Sequence, residues 1–404
     1  MRILVVAGWM HPDAEGGSFR VVYEVGRRLA ARGHAVHVLT QRTQSSLPLA
    51  ENVEGMAVHR YEVSAPAGPR FYLSAVAAVR RLARELHRQV GFQVIHTHHP
   101  VSAYAAATCR ALRGVPLVAV AHSLYHLEYL DRAGYDPRTG EERHAGLLHR
   151  LVASGLKRLD AVVFRRAARV IVLSDFMRGL VAEYHAEAAP KVVVAPGGAD
   201  LAEFRLEPGR NEARAALGLP GEKPVFFTCR RLEHRMGLRE LIEAADLLRR
   251  RGREFVVIIA GRGSLEDQLR HTIEALGLGE VVRLVGYVAE EDLRVYYRAA
   301  DCVVMPTRAR EGFGLVSAEA LACGRPVLGT AVGATPELLR GLDERLIVPE
   351  ATPECLAAGM ERFLDELRQE PDLEARCRAY AEVNFDWERF VECVERASRE
   401  VVGG

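Results

Sequence analysis

Two glutamates and three glycines crowd one short stretch of this 404-residue chain, where residues 301–324 read DCVVMPTRAREGFGLVSAEALACG. The pattern is an apolar strand, a polar loop, a glycine-rich turn and a helix that stops at Gly324. Gly312 and Gly314 let the backbone approach a ligand closely, and the N–H groups of Gly314, Leu315 and Val316 would point out of the helix start. An anion placed there gains about 0.3–1 kcal/mol from the helix dipole, besides direct hydrogen bonds. Along that helix Leu315, Ala318 and Ala322 form an apolar stripe, and Glu319 falls on the same face. A carboxylate on the core side is costly without a partner. A vicinal diol, with two hydroxyls donating to the two oxygens, is one partner; a buried ion pair with Arg325 or Arg231 is the other.

The elements that must position these groups alternate regularly. Short β-branched runs predict strands at Arg2–Ala7, Ala35–Leu39, Ala57–Tyr61, Val94–His96, Leu117–Ala121, Val170–Leu173 and Lys191–Ala195. A second series follows at Val225–Cys229, Phe255–Ala260, Val282–Val285, Cys302–Met305, Pro326–Leu328 and Leu346–Val348. Amphipathic stretches such as Ser18–Arg32, Arg239–Arg251 and Ser264–Leu276 lie between them, the pattern of parallel sheets wrapped by helices. The series restarts near residue 225, after the loop APGGADLAEFRLEPGR, so two doubly wound units are expected with an active site in the cleft between them. Residues 122–168 interrupt the alternation with a polar insertion, which reads either as a lid or acceptor loop or as a surface excursion.

Composition removes several classes. No run approaches the roughly 18 apolar residues of a spanning helix, and MRILVVAGWMHPD reads as a first strand rather than a signal peptide. The seven cysteines form no C-x-x-C pair, so they read as small core residues in a reducing cytoplasm, with no structural zinc. Histidine spacing supports no metal site either. The net charge of +1 hides an asymmetry: residues 1–195 hold 25 Lys+Arg against 16 Asp+Glu, and residues 196–404 hold 29 against 37. Of the 15 histidines, 13 lie in the first half. Two units meeting different partners are implied, and nothing points to nucleic acid.

The E-x7-E spacing of Glu311 and Glu319, within EGFGLVSAEALACGRPVLGT, resembles the signature of retaining glycosyltransferases of family 4, which have the GT-B fold. The resemblance spans nearly the whole chain. Gly16 and Gly17 before VVYEVGRRLAARGHAVHVLT look like the family's glycine loop, first helix and second strand. QVIHTHHP (93–100) is similar to its histidine-bearing strand end, and APGGAD (195–200) to its P-N-G-V-D turn, with Gly197 in place of Asn. TCRRLEHRMGLRELIEA (228–244) resembles G-R-L-x-x-x-K-G.

That resemblance implies an α/β protein of two Rossmann-like domains facing each other across a cleft. Residues 1–195 would form the acceptor domain, with the C-terminal helix at about 384–404 packing back on it, and 196–383 the nucleotide-sugar donor domain. By position, Glu319 would hold the ribose hydroxyls and Glu311 the donor sugar. Backbone N–H groups at Gly314, Leu315 and Val316 would hold the diphosphate, Gly312 and Phe313 would belong to the same nucleotide-sugar site, and Gly16 and Gly17 would close on the phosphate and donor sugar from the other side. Arg231 matches the motif arginine. Met236 occupies the lysine position, so Arg235 is the natural substitute for its charge. His122, after PLVAVA, would bond the donor sugar; His98, His99 and His126 are weaker candidates for the acceptor pocket. The implied reaction moves a hexosyl group from a UDP- or GDP-sugar to a hydroxyl acceptor by front-face substitution, without metal or bound cofactor. Glycolipid, cell-envelope or exopolysaccharide synthesis fits, on the cytoplasmic side, with peripheral contact to anionic membrane through the basic half. A non-catalytic sugar-nucleotide scaffold and a natural-product glycosyltransferase are the alternatives.

Overall fold

In the computed structural model, which describes residues 1–65, 68–134, 146–207 and 209–403, the β-branched runs assemble into two separate sheets. The described chain forms two units: residues 1–130, 146–196 and 387–403 in one, and 131–134 and 197–386 in the other.

The first unit contains β1 (Arg2–Val6), β2 (Ala35–Gln41), β3 (Ala50–Val53), β4 (Met56–Tyr61), β5 (Val94–Thr97), β6 (Leu117–Ala121), β7 (Arg169–Val172) and β8 (Val192–Val194). They are ordered β3-β4-β2-β1-β5-β6-β7-β8, parallel except for β3, which runs antiparallel to β4. Burial on both faces explains why these strands read as continuous apolar runs. β3, the polar AENV on the sheet edge, has no apolar alternation, so hydrophobic pattern alone does not predict it. The last helix, Trp387–Gly403, belongs to this unit because Trp387, Phe390, Val391, Val394, Ala397 and Ser398 make one buried stripe. Arg28–Glu388 (3.0 Å) and Arg32–Glu395 (2.8 Å) ion pairs hold its rim to the first helix, Gly17–Ala31.

The region 122–168 is not an irregular insertion. Helices Tyr125–Ala133 and Leu147–Arg166 occupy most of it, while residues 135–145 of the expected lid or acceptor loop lie outside the described residues.

The second unit contains β9 (Val225–Cys229), β10 (Val256–Ala260), β11 (Val282–Gly286), β12 (Cys302–Met305), β13 (Val327–Thr330) and β14 (Ile347–Val348), ordered β11-β10-β9-β12-β13-β14. All its strand pairs are parallel. Phe226, Phe227, Tyr297 and Phe363 fill its core. One buried carboxylate organises an end of it. Asp301 accepts from the Val225 N–H (2.7 Å) and from Arg214, and pairs with Arg210 at 2.9 Å.

Histidines at the carboxyl end of β5 give the first unit a pH response. His96 bonds Ser398 (2.8 Å), His98 bonds His122 (3.1 Å), and His99 accepts from the Gly8 N–H (2.9 Å). Burial lowers His96 and His122 to about 4 and His99 to about 3. Between these values and the unfolded value near 6.5 the unfolded chain binds more protons, so stability falls as the pH falls through that window.

Two outcomes test this account. Asp301→Ala leaves the buried Arg214 guanidinium uncompensated and should cost about 3–5 kcal/mol in urea unfolding; a loss under about 1 kcal/mol would show that the network is dispensable. Thermal midpoints should drop steadily from pH 6.5 to 4, and less steeply in His96→Gln. A flat profile would mean that these imidazoles are not buried neutral.

Candidate active site

The order of the second sheet reverses between β9 and β12: β10 and β11 extend it one way, β13 and β14 the other. Loops leaving the carboxyl ends of two such strands diverge and open a crevice. Here those loops carry the residues singled out in the sequence, with Arg230–Met236 following β9 and 306–314 following β12.

The two loops are joined by a buried ion pair. The Arg230 side chain is 4% exposed and donates to Thr307 Oγ1 and to Glu311 Oε2. Burial pulls the guanidinium below its usual range, and the Glu311 charge opposes that shift. Glu311 itself is half-buried and follows Arg310, which holds a left-handed backbone at φ 41°. Non-glycine residues in that conformation are uncommon and cluster at ligand sites. Gly314 (φ 87°) then caps the helix Leu315–Ala322, and the Ser317 N–H returns to its carbonyl at 2.9 Å.

Glu319 sits at the border of the helix's buried face, between buried Ala318 and Ala320. Its Oε2 accepts from the Tyr297 hydroxyl at 2.7 Å. Burial, reinforced by the carboxylate, pushes that phenol well above its ordinary value, so it remains a donor. Arg325, one partner considered for Glu319, turns instead to the Cys323 carbonyl (3.1 Å) and Glu374 (3.0 Å). Phe313 is buried edge-on to Phe385. A Cβ at Gly197 would stand 2.9 Å from the Phe313 ring, which accounts for glycine where the family turn has asparagine.

In the loop after β9, Arg231 is exposed and Arg235 half-buried, with Arg235 Nη1 donating to the Arg310 carbonyl at 3.2 Å. Met236 points into the core, 6% exposed. Gly237 (φ 70°) is required because an added Cβ would lie 1.7 Å from the Pro306 carbonyl oxygen. That close approach brings Arg235 to the Glu311 loop. The second unit thus gathers Arg231, Arg235, Glu311, Gly312, Phe313, Gly314, Leu315, Val316 and Glu319 around its switch point.

The first unit has its own switch point, between β1 and β5. Gly16 caps the helix that begins at Gly17. His99 ties this loop to β5, bonding the Gly8 N–H at 2.9 Å and Ser18 Oγ at 3.3 Å, with Trp9 and Phe19 packed edgewise on its ring. His122 stacks beside His98 and His99. His126, the other weaker acceptor candidate, is 3% exposed and packs against Tyr184 and His185 inside the unit.

Arg230, Thr307 and Tyr297 escaped the sequence reading. Arg230 left one legible signal, since it stands where the G-R-L-x-x-x-K-G pattern has glycine. Tyr297 left none, because its contact with Glu319 is made between two helices, 22 residues apart in sequence.

The family described as "Glycosyl transferases group 1" matches residues 209–383, and "Glycosyltransferase Family 4" matches residues 15–203. D-inositol 3-phosphate glycosyltransferase of Kineococcus radiotolerans is 30% identical over 96% of this chain and 91% of its own length. D-inositol 3-phosphate glycosyltransferase 1 of Catenulispora acidiphila is 31% identical over 96% and 92%. Among solved structures, sucrose-phosphate synthase from Thermosynechococcus elongatus superposes with a TM-score of 0.83 at 23% identity, covering 100% of both chains. Anabaena HepE in complex with UDP and glucose superposes at 0.77 and 19%, covering 99% of this chain and 100% of that one. With the E-x7-E block set at a sheet switch point and relatives matching end to end, the chain belongs to glycosyltransferase family 4 and is a glycosyltransferase of the GT-B fold.

Proposed function

We propose that this enzyme moves a hexosyl group from a UDP- or GDP-sugar to a hydroxyl of a phosphate-bearing acceptor, with retention of configuration. The observation that carries the reading is the joined loop pair of the second unit. One carboxylate, Glu319, is held by a neutral phenol, and another, Glu311, is held by a buried guanidinium. Tyr297 occupies one Glu319 oxygen and orients the carboxylate for the vicinal hydroxyls of a ribose. The helix start at Leu315 and Val316 takes the diphosphate beside Gly312, Phe313 and Gly314. Arg231 and Arg235 supply the charge that a leaving diphosphate needs, in place of a metal.

In the front-face reaction, the bond from the anomeric carbon to the diphosphate oxygen breaks. The acceptor oxygen bonds the same face, and its proton passes to the departing phosphate. Glu311, aimed by Arg230, bonds the donor sugar. His122 is neutral at pH 7 because burial holds it near 4, so it acts as a hydrogen-bonding group rather than a cation. Gly16 and Gly17 serve the donor's phosphate and sugar from the first unit's own loop. The protein contributes orientation and electrostatics, not a covalent intermediate.

Two features support an acceptor with a phosphate. The first unit coincides with most of the basic half of the chain, and relatives at 28–34% identity are named for D-inositol 3-phosphate. The same basic excess attracts anionic membrane at about 1 kcal/mol per well-placed residue. Exposed Leu147, Leu148 and Leu151, flanking Arg150, could insert there. No described helix is long and apolar enough to cross a membrane.

A panel of UDP-, GDP- and ADP-sugars with D-inositol 3-phosphate, free inositol and anionic liposomes tests the proposal. Transfer to the phosphorylated acceptor, at least about tenfold better than to inositol, is expected from a charge-assisted contact. Binding of nucleotide without transfer or donor hydrolysis would favour a scaffold. Glu319→Ala should weaken nucleotide binding about 10–100-fold, whereas Glu311→Gln, which leaves Arg230 an acceptor, should lower kcat with little change in binding. Equal, negligible effects would refute the assignment. Arg235→Ala should reduce kcat/KM about 100-fold, and Met236→Leu should be nearly silent. The reverse ranking would place the missing lysine's work elsewhere.

A further inference from the structure

The first unit contains a second cluster that the transfer reaction does not use. His126 lies in the first turn of helix Tyr125–Ala133, Asp160 within helix Leu147–Arg166, and His185 directly after helix Asp175–Tyr184. They are 3%, 5% and 1% exposed. One potential ligand atom from each lies within 4.8 Å of the others. Phe164 packs edge-on to His185 at 5.1 Å, and Tyr184 to His126 at 5.2 Å, so aromatic rings wall the cluster.

Four polar atoms of this cluster are not satisfied. Both ring nitrogens of His126, Nε2 of His185 and Oδ2 of Asp160 are buried with no hydrogen-bond partner among the described residues. Leaving each such atom unpaired costs about 1–3 kcal/mol. A direct His126–Asp160 hydrogen bond does not resolve the set, since Nδ1 and Oδ2 are 3.7 Å apart and His185 would still be orphaned. That separation is close to the edge of a zinc tetrahedron, about 3.4 Å for bonds of 2.0–2.1 Å. Two imidazoles and a carboxylate are also a ligand set suited to a first-row divalent metal.

We propose that His126, Asp160 and His185 bind one zinc ion, which ties the two helices to the turn after the third. The ion takes one nitrogen from each imidazole and Oδ2 from Asp160, with water completing the tetrahedron. Its role is to hold the unit together. The proposal is independent of the donor-site reading, because the groups lie in the other unit and on other elements.

Untagged protein dialysed against zinc and then against metal-free buffer tests this by elemental analysis. About one zinc per chain is expected, with a thermal midpoint that falls when a strong chelator is added and returns with zinc alone. Cobalt in its place should give the intense visible bands of a tetrahedral site. His185→Ala and Asp160→Asn should each cut retained zinc at least about tenfold, whereas His271→Ala, on the exposed surface of the other unit, should not. Far-ultraviolet circular dichroism shows that the variants remain folded. Wild-type protein that retains no metal, or variants that retain it fully, would overturn the proposal and leave the cluster to water or a shared proton.

Discussion

A guanidinium buried to 4% exposure cannot remain unpaired, and much of the geometry of the second unit's loops follows from that constraint. Arg230 leaves the end of β9, and its counter-charge, Glu311, comes from the loop after β12. The pair fixes how far the two loops can diverge, and hence the width of the crevice. Thr307 and the left-handed Arg310 shape the intervening loop, and Gly314 starts the helix whose N–H groups face the same space. The ion pair therefore aims a carboxylate as well as stabilising the fold. A carboxylate so held needs little reorganisation when charge develops beside it.

The two units repeat one solution with different chemistry. Each sheet has one point where its parallel strands reverse order, and each places its polar residues on the loops leaving that point. The second unit lines the point with arginines, carboxylates and a helix start, groups suited to a nucleotide and its phosphates. The first lines it with glycines and imidazoles that burial keeps neutral. Neutral imidazoles can donate and accept hydrogen bonds without repelling one another, which is why His122 at the end of β6 can stack on both His98 and His99 at the end of β5. The price is acid sensitivity.

Much of this was legible beforehand. Thirteen apolar runs correspond to strands, because parallel strands buried on both faces leave continuous β-branched signals. The exposed AENV strand was not legible, since its pairing with β4 rests on backbone hydrogen bonds rather than apolar pattern. The polar segment after β6 read as an insertion, with His126 a weak candidate for the acceptor pocket and Asp160 giving no signal of its own. In the fold they face inward, towards His185 in the turn after a third helix.

The sequence by itself determined the doubly wound class, the restart near residue 225 and the identity of the E-x7-E block. These depend on local periodicity and on short spacings that survive in one dimension. Only tertiary structure decided which groups satisfy which. Arg230 rather than Arg231 is the buried partner of Glu311, Tyr297 reaches Glu319, and polar residues from two helices and the turn after a third meet in one core. Desolvation makes each choice, since a buried charge or orphaned nitrogen must be met by whatever the fold brings within bonding distance, however remote in sequence.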